Sequence, residues 1–539
     1  LFLHLRTMAS FGMEEDATYI DPDKPKSKSS KTWVAVAVLI CFVILCVAAT
    51  ALSLYSVYRY NNNNSSDTDS STTNSPPNII FMISDGFSPS SETFARTMAT
   101  AGLTVYNQTL LELDSMLVGL VRTYSSMSLI TDSAAGATAY ACGIKTYNGA
   151  IAVDDNIKAQ GTSMEAAKQL GYTTALVTTS RITHATPASF SSHMPDRDLE
   201  EDIAEQQATQ QEVDLLFGGG LQKYTERKDG QNLFTVMQGR GYETIQTLAE
   251  FEGNLTLPVI GLFAEQHMAY EIDRLRENPV TQPSLPEMAT KALDMLSKNN
   301  NPFFIMIEGA RIDMAAHSHD AYAHYLEIMQ YQSTVALVKE FVDKNPNTYV
   351  VSVADHATGG ITLGESFHNG TYPDPYMWYP AKLLAQTAST EIMSEMILEN
   401  GMDTLNQTVL EYGGITLTDK EFQYIMDTIA LSDNVERELR TQIGTVLSSR
   451  ALVGWTTPGH TGVDVNLYCY GKCPPTYHGV KENIDVGNDL WNLLGWKDTM
   501  NEITANLSNM TFPVNSTVSS PLKKYAAHQH SGQKYVGHN

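Results

Sequence analysis

Residues 302–320 read "PFFIMIEGARIDMAAHSHD", and the two halves of that stretch obey different rules. "PFFIMI" (302–307) is β-rich and apolar at successive positions, without alternation. Such a run suits a strand buried on both faces, the condition of a parallel sheet lying between helices. The chain then turns polar at once, with Glu308, Asp313 and His317 following the run. In open α/β sheets, ligands sit beyond the carboxyl ends of the strands, so a site is expected here.

The same change of character occurs three more times. "NIIFMI" (78–83) runs into "SDG" with Asp85, "TTALVT" (173–178) into "SRITHATPASFSSHMPDR", and "TYVVSV" (348–353) into "ADHATGG". One polar loop after a strand is ordinary, but four at the same end of four predicted strands converge. The expected fold class is α/β, with a central, mostly parallel sheet flanked by helices. No internal repeat is found.

The residue types in those loops point to metal. Asp85, Glu308, Asp313, His317, Asp355, His356 and the distant His460 in "TTPGHTG" form an oxygen- and nitrogen-rich set. Asp313 and His317, spaced i, i+4, would share one face of a helical turn. Asp355 and His356 are adjacent and would splay from a strand end unless the backbone turns there. Mixed Asp/His shells suit zinc and all-oxygen shells suit magnesium. Any single pair is explained as a capped or hydrogen-bonded loop residue; the whole set is not.

Thr131–Gly149, "TDSAAGATAYACGIKTYNG", allows two readings. The small residues let a ligand approach the start of a helix and present Ser133 to it. Equally, they describe a close-packed helix capped by Asp132 or Ser133. The stretch itself does not choose.

Composition narrows the function. The 539 residues carry 60 acidic and 35 basic side chains, a net charge of −25, which argues against a nucleic-acid partner. An anionic substrate would have to be drawn in by local positive charge, from arginine or bound metal. Of five cysteines, Cys469 and Cys473 in "YCYGKCPP" are spaced to close a small loop, and an oxidising compartment makes a disulfide the expected state. Cys41 and Cys46 fall in an apolar run, and Cys142 is expected to be buried and inert.

That apolar run, residues 32–58, has no charged side chain and is long enough to span a bilayer. "KPKSKSSK" (24–31) precedes it, so the positive-inside rule places residues 1–31 in the cytosol and the rest in a lumen or outside. The sequons at Asn107, Asn254, Asn369, Asn406, Asn506, Asn509 and Asn515 all follow the span, in keeping with that topology. Residues 59–77 read as a flexible stalk, 78–511 as the catalytic domain, and 512–539 as a disordered tail.

Taken together, "TDSAAGAT", "SDG", "HATPA", "EGARID…H", "ADH" and "GHTG" resemble the alkaline phosphatase family in kind and in order, from Asn78 to about Cys473. The membrane anchor and "VGWTTPGHTGVDVNLYCYG" look most like its fungal vacuolar members. The resemblance implies phosphate monoester hydrolysis of broad range at two Zn²⁺ and one Mg²⁺. Ser133 matches the nucleophile that becomes phosphorylated, and Arg197 the phosphate clamp, oriented by Asp132. Asp85, Asp355 and His356 match one zinc site; Asp313, His317 and His460 match the other. Asp85, Thr186 and Glu308 match the magnesium site, with Asp85 bridging.

Two positions depart from the pattern. His184 stands where bacterial members carry Asp and animal members His, and is expected to contact metal-bound water. Met314 stands where Lys or His helps to hold phosphate, so altered phosphate affinity and pH dependence are expected. The long gap between His356 and His460 reads as an inserted cap or crown within residues 361–455, in which 395–414 and 430–449 read as helices, beside the active site or at a dimer contact. A homodimer, small phosphate monoesters as substrates, no nucleic-acid partner, and a type II position in the vacuole membrane or at the cell surface complete what it implies. A phosphodiesterase or sulfatase would use Thr or a modified Cys where Ser133 stands, and a non-enzymatic relative would show decayed ligands; every matched ligand is intact.

Overall fold

The computed structural model describes residues 75–101, 110–364 and 377–512. Ten strands form one sheet: β1 (Asn78–Ser84), β2 (Leu117–Arg122), β3 (Thr173–Arg181), β4 (Leu215–Gly219), β5 (Glu243–Ile245), β6 (Val259–Leu262), β7 (Phe303–Gly309), β8 (Thr348–Val353), β9 (Val465–Gly471) and β10 (Gly479–Glu482). Their order is β10–β2–β9–β8–β1–β7–β3–β4–β6–β5. β9 runs antiparallel to β8 and β2, and the remaining pairings are parallel. The four strands read from the sequence are adjacent at its centre, where β7 is buried along its whole length. Unbroken apolar runs belong there because helices cover the sheet and leave neither face to water.

Register then fixes where the polar residues emerge. Ile83 pairs with Glu308 and with Val353, and Glu308 pairs with Thr178. Those four residues make one row across β8, β1, β7 and β3. Asp85 and Asp355 follow it by two positions on their own strands, so both meet Glu308 at the carboxyl edge.

Eight helices matter for the site: α1 (Ser133–Cys142), α2 (Ala185–Ser191), α3 (Arg311–His317), α4 (Ala321–Lys344), α5 (Thr390–Asn400), α6 (Leu405–Gly413), α7 (Asp419–Ala430) and α8 (Val435–Arg450). Every residue of α1 is buried. Its small side chains serve close packing rather than an open space: a Cβ on Gly136 would stand 3.1 Å from Asp355 Cβ. Tyr140 on the same helix donates to the Ala354 carbonyl at 2.7 Å, tying α1 to the end of β8. α4 is tied to the same strand through Tyr331 and Ser352, whose hydroxyls lie 2.8 Å apart.

The long interval between His356 and His460 is closed by two short antiparallel ladders. Thr362–Leu363 pairs with Val453–Gly454, and Ala357–Thr358 pairs with His460–Thr461. Between the ladders, α5–α8 enclose an apolar cluster of their own that includes Met393, Ile397, Val409, Ile425, Leu439 and Ile443. The stretch expected as one helix over 395–414 is two, because the chain turns at Gly401 with φ +104°. The helix expected from 430 begins at Val435, where the Asn434 side chain accepts from Arg437 N. α7 was not read from the sequence, although Thr418 and Glu421 form a capping box at its start.

Cys469 and Cys473 form a disulfide, and Cys142 is a buried free thiol. Among the described residues no helix is long and apolar enough to cross a membrane. The span over 32–58, the stalk before Ser75, Asn107, Asn369, and the tail from residue 513 lie outside the described residues. Phe512, placed in the tail by the sequence reading, packs against two small apolar clusters. Asn254, Asn406 and Asn506 are exposed.

The fit of α1 against Asp355 gives a prediction. Gly136→Val adds volume where a Cβ alone is already tight, so it should destabilise the fold by about 1–3 kcal/mol and displace Asp355. Thermal unfolding and metal content of the variant check this; an unaltered melting temperature with full metal content would contradict it.

Candidate active site

Three groups of ligand-type side chains come together at the carboxyl edge, their ligand atoms lying within 4.8 Å of one another in each. They are Asp313, His317 and His460; Asp85, Asp355 and His356; and Asp85, His184 and Glu308. Every ligand type singled out in the sequence is in one of them, and Asp85 is shared by two. Asp355 and His356 converge because the chain turns after β8: His356 Nε2 lies 3.2 Å from Asp355 Oδ2 and 3.5 Å from Asp85 Oδ1. His460 joins them through the Ala357–Thr358 ladder. At Gly86, φ is +73° and a Cβ would stand 2.7 Å from Asp313 Cα, so only glycine lets α3 come this close.

Burial and hydrogen bonding show which atoms await a partner. Asp85, Glu308 and Asp355 are wholly buried. Asp355 Oδ1 accepts from the backbone of Gly86 and His356, at 3.3 and 3.0 Å. Glu308 Oε2 accepts from Thr178 Oγ1 at 2.5 Å and Ser180 Oγ at 3.3 Å. The other oxygen of each has no partner, nor does either oxygen of Asp85, nor the Thr186 hydroxyl on α2. Buried polar atoms are satisfied as a rule. Orphaned oxygens converging here, two of them on the carboxylate shared by two of the groups, fit a cation site.

The histidines are set as ligands too. His317 Nδ1 donates to the Pro458 carbonyl at 2.5 Å, and His460 Nδ1 to the Thr131 carbonyl at 2.8 Å. Their Nε2 atoms, 3.1 Å apart, face Asp313. For His356, Thr358 takes the equivalent part: its hydroxyl donates to Asp313 Oδ1 at 2.5 Å and accepts from His356 Nδ1 at 3.2 Å. Each ring is therefore held at Nδ1 by an outer partner and turns Nε2 toward the acidic residues, the atom free to take a metal once the ring is neutral.

Electrostatics agrees. Burial, and then Asp355 beside it, pushes Asp85 well above the usual carboxylate range. Burial pushes Asp355 up to about 8 and Glu308 up to about 7. Burial would raise Asp313 also, but His317 and His460 hold it well below the usual range. Burial works against a charged His317, yet Asp313 raises it to about 9. Carboxylates so placed ionise together only beside added positive charge.

Ser133 opens α1 with its Oγ 3.1 Å from His356 Nε2. The capping reading of its stretch holds, and Asp132 divides its oxygens between two partners. Oδ1 accepts from Ala135 N at 3.0 Å as the helix cap, and Oδ2 accepts from Arg197 Nη1 at 3.1 Å. Arg197 Nη2 donates to His184 Nε2 at 3.1 Å. That bond leaves the proton of neutral His184 on Nδ1, which is buried without a partner. Burial, and then Arg197, holds this ring neutral. His184 thus offers a donor to the Asp85–Glu308 group, suited to a bound water rather than to a metal.

Met314 is half-buried, packs against the small apolar cluster of Tyr270, Ile272, Ala315 and Ala323, and accepts a contact from Arg311 Nη1 at its sulfur, 3.2 Å away. The sequence reading missed Thr358, Thr178 and Ser180. Thr358 lies two residues past His356 and Ser180 two past Thr178, but hydroxyls that work on other ligands carry no spacing signal of their own.

The site predicts a proton balance. Carboxyls whose folded pKa is raised bind protons that the unfolded chain has already lost, so in the metal-free chain their contribution falls as pH rises toward 7–8. Zinc binding should displace those protons and that of His317, with affinity rising from pH 6 to about 9. Calorimetric titration in buffers of different ionisation enthalpy checks this; heats independent of the buffer at pH 6 would contradict it.

The family model described as "Alkaline phosphatase" matches residues 77–495. The alkaline phosphatase of Schizosaccharomyces pombe is 39% identical over 437 residues, covering 77% of this chain and 81% of that protein. The repressible alkaline phosphatase of Saccharomyces cerevisiae is 36% identical over 484 residues, covering 80% and 84%. Among solved structures, Thermus thermophilus alkaline phosphatase superposes with a TM-score of 0.71 at 30% identity, covering 80% of this chain and 96% of that one. With the profile matching most of the chain, the protein belongs to the alkaline phosphatase family, whose reaction is the hydrolysis of phosphate monoesters.

Proposed function

We propose that the chain is a membrane-anchored phosphatase that hydrolyses small phosphate monoesters of broad range through a phosphoserine at Ser133. One observation carries the reading: the orphaned Asp85 oxygens, wholly buried, sit against the His356 ring that reaches Ser133. Asp85, Asp355 and His356 would hold one Zn²⁺, and Asp313, His317 and His460 a second. Asp85, Glu308 and Thr186 would hold Mg²⁺, with His184 on its water. Cations bound there would supply the positive charge that favours an ionised serine oxygen and offsets the charge developing on the phosphoryl group.

The chain's own residues do the rest. Ser133 Oγ forms a bond to phosphorus as the ester bond breaks, and the alcohol leaves with its electron pair. Water then attacks the phosphoserine, restoring the serine and releasing phosphate. Asp132 and His184 hold the Arg197 guanidinium by one N–H each, leaving three of its five donors for the phosphate oxygens. The start of α1 adds its partial positive charge. Met314 can neither donate to phosphate nor repel it, so product should leave easily.

For the whole protein we place the catalytic domain in a vacuolar lumen, beyond a single span over 32–58 with the N-terminus cytosolic. Glycans on sequons such as Asn254, Asn406 and Asn506 fit that side, as does the Cys469–Cys473 disulfide. A homodimer is part of the proposal.

Ser133→Ala should lower kcat at least about 10³-fold with metal content unchanged, and chelation should abolish turnover of a chromogenic phosphate ester. A Ser133→Ala chain as active as wild type would overturn the reading. Met314→His should tighten inhibition by inorganic phosphate by up to about tenfold, the worth of one charge-assisted hydrogen bond. Phosphate inhibition constants for the two chains measure this; equal values would mean that residue 314 does not touch phosphate.

A further inference from the structure

The segment 311–320 carries two proposed zinc ligands, yet little within it holds its shape. α3 has seven residues and no side-chain N-cap, and helices this short do not persist by themselves. Its anchors lie elsewhere. At its start, Ala310 N and Arg311 N donate to Thr179 Oγ1 at 3.1 and 3.3 Å. Its middle is held by α4, where His324 Nδ1 donates to the Ile312 carbonyl at 2.9 Å, and by Thr358 and Pro458 on the Asp313 and His317 side chains; its two ends meet the four-helix insertion.

Arg311, with 3% of its side chain exposed, pairs with Glu391 of α5 at 2.7 Å. The face of its guanidinium lies 3.5 Å from the centre of the Tyr270 ring. Glu391 also pairs with Arg440 of α8 at 2.8 Å, so one carboxylate bridges two arginines, of which Arg440 has Glu436 as well, at 2.6 Å. Beyond His317, Asp320 Oδ2 accepts from Thr390 N at 2.7 Å, while Ser448 of α8 donates to the His319 carbonyl at 2.8 Å. Gly444 lies so close that a Cβ there would stand 2.2 Å from the Ser318 carbonyl oxygen. His319 keeps φ +53°, a left-handed conformation costly for a non-glycine residue. Its imidazole stacks on Trp455 with ring centres 5.4 Å apart. Asp313 and His317 are therefore bracketed, at both ends, by contacts with α5 and α8.

We infer that the insertion is a clamp for the Asp313–His317–His460 metal site, with Glu391 as its positioning residue. The inference rests on the metal reading proposed above. Glu391 touches no ligand and acts through Arg311, the first residue of α3. Removing its charge leaves two arginines, one of them deeply buried, without their shared counter-ion. α3 then loses its hold on α5, and the ligands two and six residues along lose their fixed spacing. Outer partners of metal ligands have large effects of this kind.

The test is a zinc titration of the metal-free full-length chain against a competing chromogenic chelator. Wild type, Glu391→Gln, Ser448→Ala and the surface variant Asp427→Asn of α7 are compared. Glu391→Gln keeps shape and loses charge. It should weaken one class of zinc site by about 10–100-fold, the range for outer-partner mutations, and leave the other class unchanged. Turnover should return at saturating zinc. Ser448→Ala should move the same class in the same direction by less, and Asp427→Asn should move neither. A lowered melting temperature with unchanged zinc affinities, or equal weakening of both classes, would overturn the inference while leaving the metal reading intact. A wild-type chain that takes up no zinc would overturn both.

Discussion

Three carboxylates buried to the last oxygen, with no lysine or arginine paired to them among the described residues, are the constraint on which the rest of the structure depends. Burying charge without compensation costs several kcal/mol per ion, so Asp85, Asp355 and Glu308 hold protons at this edge until a cation takes their place. The sheet makes the convergence unavoidable. Parallel strands in the register Ile83–Glu308–Thr178 and Ile83–Val353 bring these side chains out at one level. Gly86 and Gly136 then allow α3 and α1 to close over them. Removing the carboxylates would relieve the cost and leave a packed α/β sheet with no chemistry.

Ser133, the proposed nucleophile, is placed by the same elements. α1 is pinned to the end of β8 through Tyr140 and Ala354, and His356 lies just beyond that end. Ser133 and the ligand ring it faces therefore cannot drift apart independently. Asp132 joins the two functions in one side chain, capping the helix and holding Arg197. Residue 314 is the point where this chain relaxes the design: a thioether stands at a position whose resemblance calls for a donor, and the nearest cation, Arg311, is committed to Glu391.

Much of this was legible in the sequence, for a physical reason. The strands buried on both faces, β1, β3, β7 and β8, must be continuously apolar, and their ends were read to within three residues. β2 was not read, because an edge-side strand with exposed Leu117 and Leu120 has neither continuous burial nor clean alternation. β5, with three residues, is too short to carry a period. Asp355 and His356 were assignable to one metal only through the resemblance, since adjacent residues point apart until the backbone turns. His460 reaches the site through a two-residue ladder with residues just past His356, a pairing that sequence distance conceals. The clamp was invisible for the same reason: Glu391 and Arg311 are far apart in the chain and ordinary in composition, and only folding makes them partners.

The most direct test of the account is to mix the zinc- and magnesium-loaded full-length chain with a ³²P-labelled phosphate monoester, quench in acid and map the labelled peptide. The account predicts one acid-stable label on the peptide containing Ser133, present with metal and lost when the chain is first stripped by a chelator. Rapid hydrolysis without a covalent label, or a label on any other residue, would contradict it.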